Sequence, residues 1–186
     1  MWVLNKPIGV DTDMSPGSDL CFLLPPELNR RTFHHVGRLD KETSGLLLFS
    51  CDGDLTYQLL NSSRLSKSYI ARVSKRPTSD QLARLVEGVI LSDGMSRALH
   101  AEVSCCCRAL YMSPNYQGVF PEDFTVCVVT CEGRNRIVRR MLAAVGLPVY
   151  ALHRERFGSL SLDDTSIPGE CRPLSPAECL ALRENC

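Results

Sequence analysis

The residues best suited to chemistry are a carboxylate and the basic residues around it. Asp40 lies between Arg38 and Lys41, after a glycine turn and shortly before the hydrophobic run 46–49. A carboxylate that acts as a nucleophile or a base has to be ionised and held in place. An exposed charge pair and a structural salt bridge are the competing interpretations, and Asp–Arg pairs are most often structural. The position of Asp40 alone leaves all three open.

A second candidate is the cluster of arginines in the segment 132–141. Four arginines lie within seven residues, at a turn that leads into a predicted helix: Arg134, Arg136, Arg139 and Arg140. Arg136 and Arg140 are four residues apart, a spacing at which like charges on a helix repel each other. A structure that keeps this repulsion usually provides a negative partner. The pattern therefore predicts an anion here, which is phosphate, a carboxylate or both.

The charge balance permits a polyanionic partner on one face only. The chain has 21 basic and 21 acidic residues, so it has no overall basic field. The segment 64–76 nevertheless contains basic residues and no acid: Arg64, Lys67, Arg72, Lys75 and Arg76. A neutral protein with such a patch can bind RNA on that face. A solvated helix face is the alternative explanation.

The ten cysteines predict neither a disulfide framework nor a metal site. The sequence has no secretory signal, and 186 residues can form a hydrophobic core without cross-links. Neither Cys127 and Cys131 nor the four histidines have the spacing of zinc ligands. No apolar run is long enough to span a membrane. We therefore expect an intracellular protein in a reducing compartment, with the cytoplasm as the first expectation. Its cysteines are expected to be small buried residues.

The elements that must position these residues follow from the local pattern. Strands are predicted at the start of the chain and at 46–50, 68–74, 103–107, 124–130 and 149–152. Helices are predicted at 19–24, 54–60, 78–88 and 135–145 and after 175, the third and fifth from capping boxes. Apart from the helix predicted at 19–24, residues 11–33 and 110–123 show no pattern that predicts an element. Strands outnumber helices without alternating with them, so we predict an α+β fold with a mixed, largely antiparallel sheet.

Five stretches of the sequence resemble, in the same order, motifs of the RsuA/RluB/RluE/RluF family of RNA pseudouridine synthases. GRLDKETSGLLLFSCDGDL resembles the aspartate motif of the family, KSYIARV its tyrosine motif and CEGRNRIVRRMLAAVGLPV its arginine motif. VLNKPIGV near the start and HRERFGSLSL near the end also resemble family segments. The resemblance covers nearly the whole chain. It implies the pseudouridine synthase fold, in which helices and loops flank the sheet around a central RNA-binding cleft.

The resemblance also implies a reaction and a domain organisation. Pseudouridine synthases isomerise a uridine within RNA, and no cofactor or metal is expected because nothing is oxidised and no group is lost. Ribosomal RNA is the expected partner, and a monomer without membrane contact is the expected state. Many members carry an N-terminal S4-type RNA-binding domain. Because this sequence starts in the first catalytic strand, we expect residues 1–186 to form a single catalytic domain without it.

The motifs assign roles to individual residues. The resemblance implies that Asp40 is the essential catalytic acid, either as nucleophile or as the group that starts an elimination. It implies that Tyr69 stacks on the base and acts as general base at C5, and that Arg139 is the ion-pair partner of Asp40. The target base has to leave the RNA stack, and Arg38 is expected to fill the vacated space or contact the backbone. The other predicted RNA contacts are Lys67, Arg72, Arg134, Arg136 and Arg140.

Two other functions stay open at this point. An RNA-binding protein or RNA chaperone can keep this fold without catalysis, but it would tolerate loss of Asp40 or Tyr69, and both are present. A nucleoside hydrolase that uses an aspartate is the second alternative. Such an enzyme would not need the arginine-rich helix start.

Overall fold

The computed structural model describes residues 1–28, 32–104, 124–163 and 165–184. The strands in these residues are β1 (Trp2–Lys6), β2 (His34–Val36), β3 (Thr43–Ser50), β4 (Lys67–Val73), β5 (Val89–Leu91), β6 (Gly94–Ser96), β7 (His100–Ser104), β8 (Phe124–Thr130), β9 (Val149–Phe157), β10 (Leu160–Ser161) and β11 (Cys171–Pro173). The helices in the same residues are α1 (Asp19–Leu23), α2 (Gly53–Asn61), α3 (Ser79–Glu87), α4 (Ile137–Ala144) and α5 (Pro176–Glu184).

The main sheet is mixed and has the order β11-β1-β3-β9-β4-β8-β7, with β2 paired to β3 and β10 to β9. Its neighbouring strands are antiparallel except for β3 and β9, which run parallel. The predicted α+β fold with a largely antiparallel sheet is confirmed. β5 and β6 form a separate hairpin that the sequence pattern did not predict. Residues 105–107 of the predicted strand 103–107 and the segment 110–123, for which no element was predicted, lie outside the described residues.

The hydrophobic run after Asp40 becomes the central strand β3, which is buried on both faces. Successive side chains of a strand point to opposite faces. Leu47 and Phe49 belong to the core that contains residues of α3 and α4, whereas Leu46 and Leu48 belong to the core that contains residues of α2 and α5. A strand between two such layers is expected to read as an unbroken apolar run. The turn that carries Asp40 is therefore anchored in the middle of the sheet.

Gly45 allows β3 and β9 to come together as the parallel pair. Its φ is 109°, and a Cβ atom there would overlap the backbone of Arg154. Gly45 and Arg154 are register partners, and on the other side of β9 Arg154 is the register partner of Tyr69. One line across three strands thus joins the start of β3, Arg154 and Tyr69. This line brings the aspartate and tyrosine motifs together.

Both predicted capping boxes are present at the starts of their helices. The Thr78 hydroxyl accepts from the N–H group of Gln81 (3.2 Å), and the Gln81 side chain accepts from the N–H group of Thr78 (3.0 Å). Ser175 and Glu178 make the same exchange at 3.2 and 2.8 Å. The helices α3 and α5 are therefore correctly predicted from local chemistry.

The described residues add three observations on cysteines, metals and membranes. Five of their cysteines are free thiols: Cys51, Cys127, Cys131, Cys171 and Cys179. No group of three or more His, Cys, Asp or Glu side chains in this part of the chain is arranged to hold a metal ion. No helix in it is both long and apolar enough to cross a membrane.

The buried His153 makes the stability of the fold depend on pH. Burial, with the charge of Arg154, lowers the pKa of His153 from 6.5 to about 4. Between these values the unfolded chain binds a proton that the folded chain does not, so the free energy of unfolding falls as the pH falls through this window, by about 3 kcal/mol in all. We expect His153→Gln, whose amide can still form a hydrogen bond with the Ser44 hydroxyl, to lose this part of the pH dependence.

Urea unfolding of wild type and His153→Gln at pH 7 and pH 4.5 measures the effect. The wild type should lose more stability than the variant between the two pH values. An equal loss in both proteins would assign the acid sensitivity to other groups.

Candidate active site

The motif residues meet at a cleft of about 590 Å³ between β3, β4, β9 and the start of α4. A volume of this size suits a ligand as large as a nucleoside. The residues that line it come from the segments 37–40 and 132–138, from the strands β3, β4 and β9, and from α2. The cleft brings together six of the predicted site residues, which are Arg38, Asp40, Lys67, Tyr69, Arg134 and Arg136. The other three, Arg72, Arg139 and Arg140, are not part of its lining.

The turn that carries Asp40 is held from the N-terminal segment of the chain. The N–H group of Gly9 donates to the carbonyl of Lys41 (2.8 Å). The Thr12 hydroxyl accepts from the N–H group of Leu39 (3.1 Å) and donates to the carbonyl of the same residue (2.7 Å). The residues on both sides of Asp40 are therefore fixed by hydrogen bonds. Such preorganisation is what a catalytic carboxylate requires.

Lys6 shapes this N-terminal segment, although the sequence pattern gave it no role. Its side chain is fully buried, and Nζ donates to the carbonyls of Pro7 (2.9 Å) and Val10 (2.6 Å). Burial lowers the pKa of Lys6 to about 8, and nearby negative charges, including Asp40, counteract part of this. The available signal was its position directly before a Pro-x-Gly turn. Lys6 thus holds the segment that in turn holds the aspartate turn.

Arg136 is the arginine beside the Asp40 carboxylate. Its Nη1 lies 3.8 Å from Asp40 Oδ2 and 2.7 Å from Glu42 Oε2. In the described part of the chain, Arg136 is the only non-glycine residue with a positive φ (49°), and it caps the N-terminus of α4. Residues with this strained conformation are concentrated at functional sites. The turn places the Arg136 guanidinium between the two carboxylates.

The structure does not contain the predicted ion pair between Arg139 and Asp40. Arg139 lies on the buried face of α4, where Nη2 donates to the carbonyl of Glu42 (2.8 Å) and Nη1 to the carbonyl of Val149 (3.2 Å). The helix turns this face toward the core, and so the guanidinium reaches backbone carbonyls. Burial, and then the charge of Arg136, lowers the pKa of Arg139, while Glu42 and Asp40 raise it. Asp40 therefore lies within the electrostatic range of Arg139, whose catalytic role stays a prediction.

The negative partners expected for the arginine cluster are carboxylates of the chain itself. Arg134 donates through Nε to Glu132 Oε2 (2.8 Å) and through Nη1 to Asp93 Oδ1 (3.0 Å). Arg140 forms a two-pronged pair with Asp93, in which Nη1 donates to Oδ2 (2.9 Å) and Nη2 to Oδ1. The hydrogen bond from Arg140 and the charges of both arginines lower the pKa of Asp93 to about 2. These carboxylates offset the repulsion that the sequence implied.

Tyr69 lines the cleft beside two residues of β9 that sequence reasoning missed. Tyr69 is buried, with 8% of its surface exposed. The Nε of Arg154 donates to the carbonyl of Leu46 (2.8 Å), and its guanidinium carbon lies 5.3 Å from the centre of the Phe157 ring. Arg154 and Phe157 belong to the HRERFGSLSL stretch, which the resemblance included without a role for either residue.

Two predicted RNA contacts, Arg72 and Lys67, are buried. Arg72 lies three residues after Tyr69 on β4 and so belongs to the opposite face of the sheet. Only 3% of its surface is exposed, and the prediction that Arg72 contacts phosphate is therefore not supported. Lys67 does line the cleft, but its Nζ donates to the carbonyl of Cys131 (3.0 Å) and burial lowers its pKa. Arg38 is exposed at the cleft and stays a candidate contact.

The fold is that of a pseudouridine synthase. It matches a solved structure titled "Crystal structure of pseudouridylate synthase" with a TM-score of 0.79 and 27% identity, over 97% of this chain and 72% of that chain. Residues 1–144 match the family model described as RNA pseudouridylate synthase. The chain belongs to this family.

Two curated relatives show how the chain compares with named members. It is 36% identical to "Ribosomal large subunit pseudouridine synthase E" of Xanthomonas campestris over 180 residues, which are 91% of this chain and 92% of the relative. It is 37% identical to "Ribosomal large subunit pseudouridine synthase B" of Vibrio cholerae over 160 residues, which are 80% of this chain and 46% of the relative. The chain therefore spans less than half of the second relative. The resemblance inferred from the motifs is confirmed.

Proposed function

We propose that this protein is an RNA pseudouridine synthase that isomerises a uridine of ribosomal RNA. The observation that carries the proposal is the position of Asp40, on a fixed turn in a cleft of nucleoside size that Tyr69 also lines. The names of the curated relatives support both the reaction and the ribosomal substrate. The ribosomal substrate in the names of these relatives also supports the expected cytoplasmic location.

The chemistry needs one ionised carboxylate and one group that moves a proton. The N1–C1′ bond of uridine breaks, the base turns, and a C5–C1′ bond forms. The C5 proton leaves and N1 gains one, so the atoms balance without a cofactor. Asp40 acts either as the nucleophile or as the group that starts an elimination. Arg136 provides a positive charge 3.8 Å from this carboxylate.

The uridine has to leave its stack in the RNA to reach the cleft. Tyr69 provides an aromatic surface for the turned base and a hydroxyl that is suited to act at C5. Arg38 is exposed at the cleft, where it can contact the backbone or fill the space that the base leaves. The flipped nucleotide thus meets Asp40 and Tyr69 in one pocket.

Mapping of pseudouridines in ribosomal RNA tests the proposal directly. RNA from cells with and without this protein should differ at one or a few uridines. The purified protein should restore these modifications on unmodified RNA without an added cofactor. If the two RNA samples have identical pseudouridines and the purified protein modifies neither, the proposal is wrong.

We expect Tyr69→Phe to slow turnover far more than it weakens RNA binding. The substitution removes only the phenol oxygen, so stacking survives while proton transfer at C5 loses its base, and the rate falls roughly 10²-fold. Single-turnover rates at saturating RNA, measured beside binding titrations, separate the two effects. Equal losses in rate and affinity would assign the hydroxyl to binding instead.

A further inference from the structure

The hairpin β5–β6 contacts two residues of the arginine cluster, Arg134 and Arg140. Asp93 lies in the turn of this hairpin and pairs with Arg140 through both carboxylate oxygens. Arg134 binds Asp93 Oδ1 (3.0 Å) and also the backbone carbonyls of Asp93 (3.2 Å) and Met95 (2.9 Å). Arg134 also lines the cleft. The pair of Asp93 with the two arginines is therefore continuous with the candidate active site.

The contacts of Asp93 differ from those of the neighbouring Glu132. Glu132 accepts from the Ser96 hydroxyl (2.7 Å) and the N–H group of Arg97 (3.2 Å) in addition to Arg134, so neutral donors also fix it. In the described residues, the donors to the Asp93 carboxylate are its two arginines and its own N–H group. The Asp93 side chain is 44% exposed. Water can therefore solvate the carboxylate once it leaves the arginines, so breaking this pair costs less than breaking a fully buried one.

We propose that Arg134 and Arg140 bind one backbone phosphate of the RNA, and that this phosphate takes the place of the Asp93 carboxylate. A guanidinium holds phosphate with the same two-pronged geometry that it uses for a carboxylate. The backbone bonds from Arg134 keep the hairpin attached while the carboxylate moves away. The proposal rests on the proposed function, since the substrate RNA brings the phosphate to the cleft.

The exchange predicts that removing the carboxylate strengthens RNA binding. In the wild type the phosphate has to displace Asp93, whereas in Asp93→Asn it displaces only ions from solution. We expect Asp93→Asn to bind a labelled oligouridine RNA about fivefold more tightly at physiological salt, with a log–log salt dependence steeper by about 0.7. Asp93→Ser, which removes the same charge with a smaller side chain, should behave alike.

A matched control is available elsewhere in the chain. Arg172 and Glu178 form the same two-pronged pair (3.0 and 2.7 Å), with one side chain 44% and the other 26% exposed, and neither lines the cleft. Glu178→Gln changes the net charge by the same amount and preserves the capping box. We expect Glu178→Gln to leave affinity and salt dependence unchanged, which excludes a general effect of net charge.

The double variant Asp93→Asn with Arg140→Gln decides whether the gain acts through the arginine. The gain should disappear when Arg140 is absent. Unchanged or weaker binding by both Asp93 variants, with thermal unfolding like that of the wild type, would overturn the exchange. So would an equal gain in Glu178→Gln. Pseudouridine formation by the wild type is assayed in parallel, and activity without an effect at Asp93 would overturn the exchange while leaving the proposed function intact.

Discussion

Asp40→Asn is expected to abolish pseudouridine formation while the fold and RNA binding stay nearly unchanged. Asparagine has the shape of aspartate without its charge, so it can neither attack C1′ nor remove a proton. We expect the rate to fall at least about 10⁴-fold. In the described residues the carboxylate has one ion-pair partner, Arg136 at 3.8 Å, so the loss of stability should stay below about 1 kcal/mol.

Single-turnover assays on ribosomal RNA, with chromatographic separation of the nucleosides, measure this effect. Asp11→Asn is the matched control, because Asp11 is a nearby acid that is 66% exposed and lies 3.9 Å from Lys41. Its rate should stay within about twofold of the wild type. If Asp40→Asn converts uridine at a rate near that of the wild type, the catalytic assignment is wrong. An inactive wild type that still binds RNA would favour the RNA-binding alternative.

The sequence predicts the position of Asp40 better than its surroundings. The apolar run 46–49 identifies a strand buried on both faces, and a polar turn before such a strand has to lie at the end of that strand. Local chemistry also defines α3, since the capping box at Thr78 depends on residues three apart. The parallel pairing of β3 with β9 is different. It depends on Gly45 and Arg154, which are far apart in the sequence, and no local pattern contains it.

The arginine cluster shows why the predicted ion-pair partner of Asp40 differs from the one in the structure. The sequence predicted a helix from residue 135, but Arg136 adopts a left-handed conformation and α4 begins at Ile137. This shift decides which arginine faces Asp40 and which faces the core. The local sequence around the arginines did not reveal their carboxylate partners either, because Asp93 comes from a hairpin on another part of the chain. A signal for that hairpin was present, since Asp93-Gly94 between short apolar stretches is a typical hairpin turn.

The two arginines nearest to the aspartate turn are expected to have separable roles. Arg136 is 42% exposed and pairs with Glu42 and Asp40 at the cleft, where RNA phosphate can also reach it. Arg139 is buried, and it joins the carbonyl of Glu42 to that of Val149. Loss of Arg136 should therefore weaken RNA binding and flatten its salt dependence by about 0.7, with a smaller effect on the rate. Loss of Arg139 should act on the turn itself.

Arg139→Gln is expected to lower the rate at saturating RNA by roughly 10³-fold, with about 10²-fold from misplacement of the turn and about tenfold from loss of the buried charge. RNA affinity and its salt dependence should stay close to wild type, because the guanidinium does not line the cleft. Arg139→Lys should recover only the part of the rate that depends on charge, because an ammonium cannot reproduce the bonds to both carbonyls. Rates for both variants and Arg136→Gln, measured beside salt titrations of binding, decide the question. If Arg139→Gln keeps the rate and flattens the salt dependence, Arg139 is a phosphate contact and Arg136 is the arginine that serves Asp40.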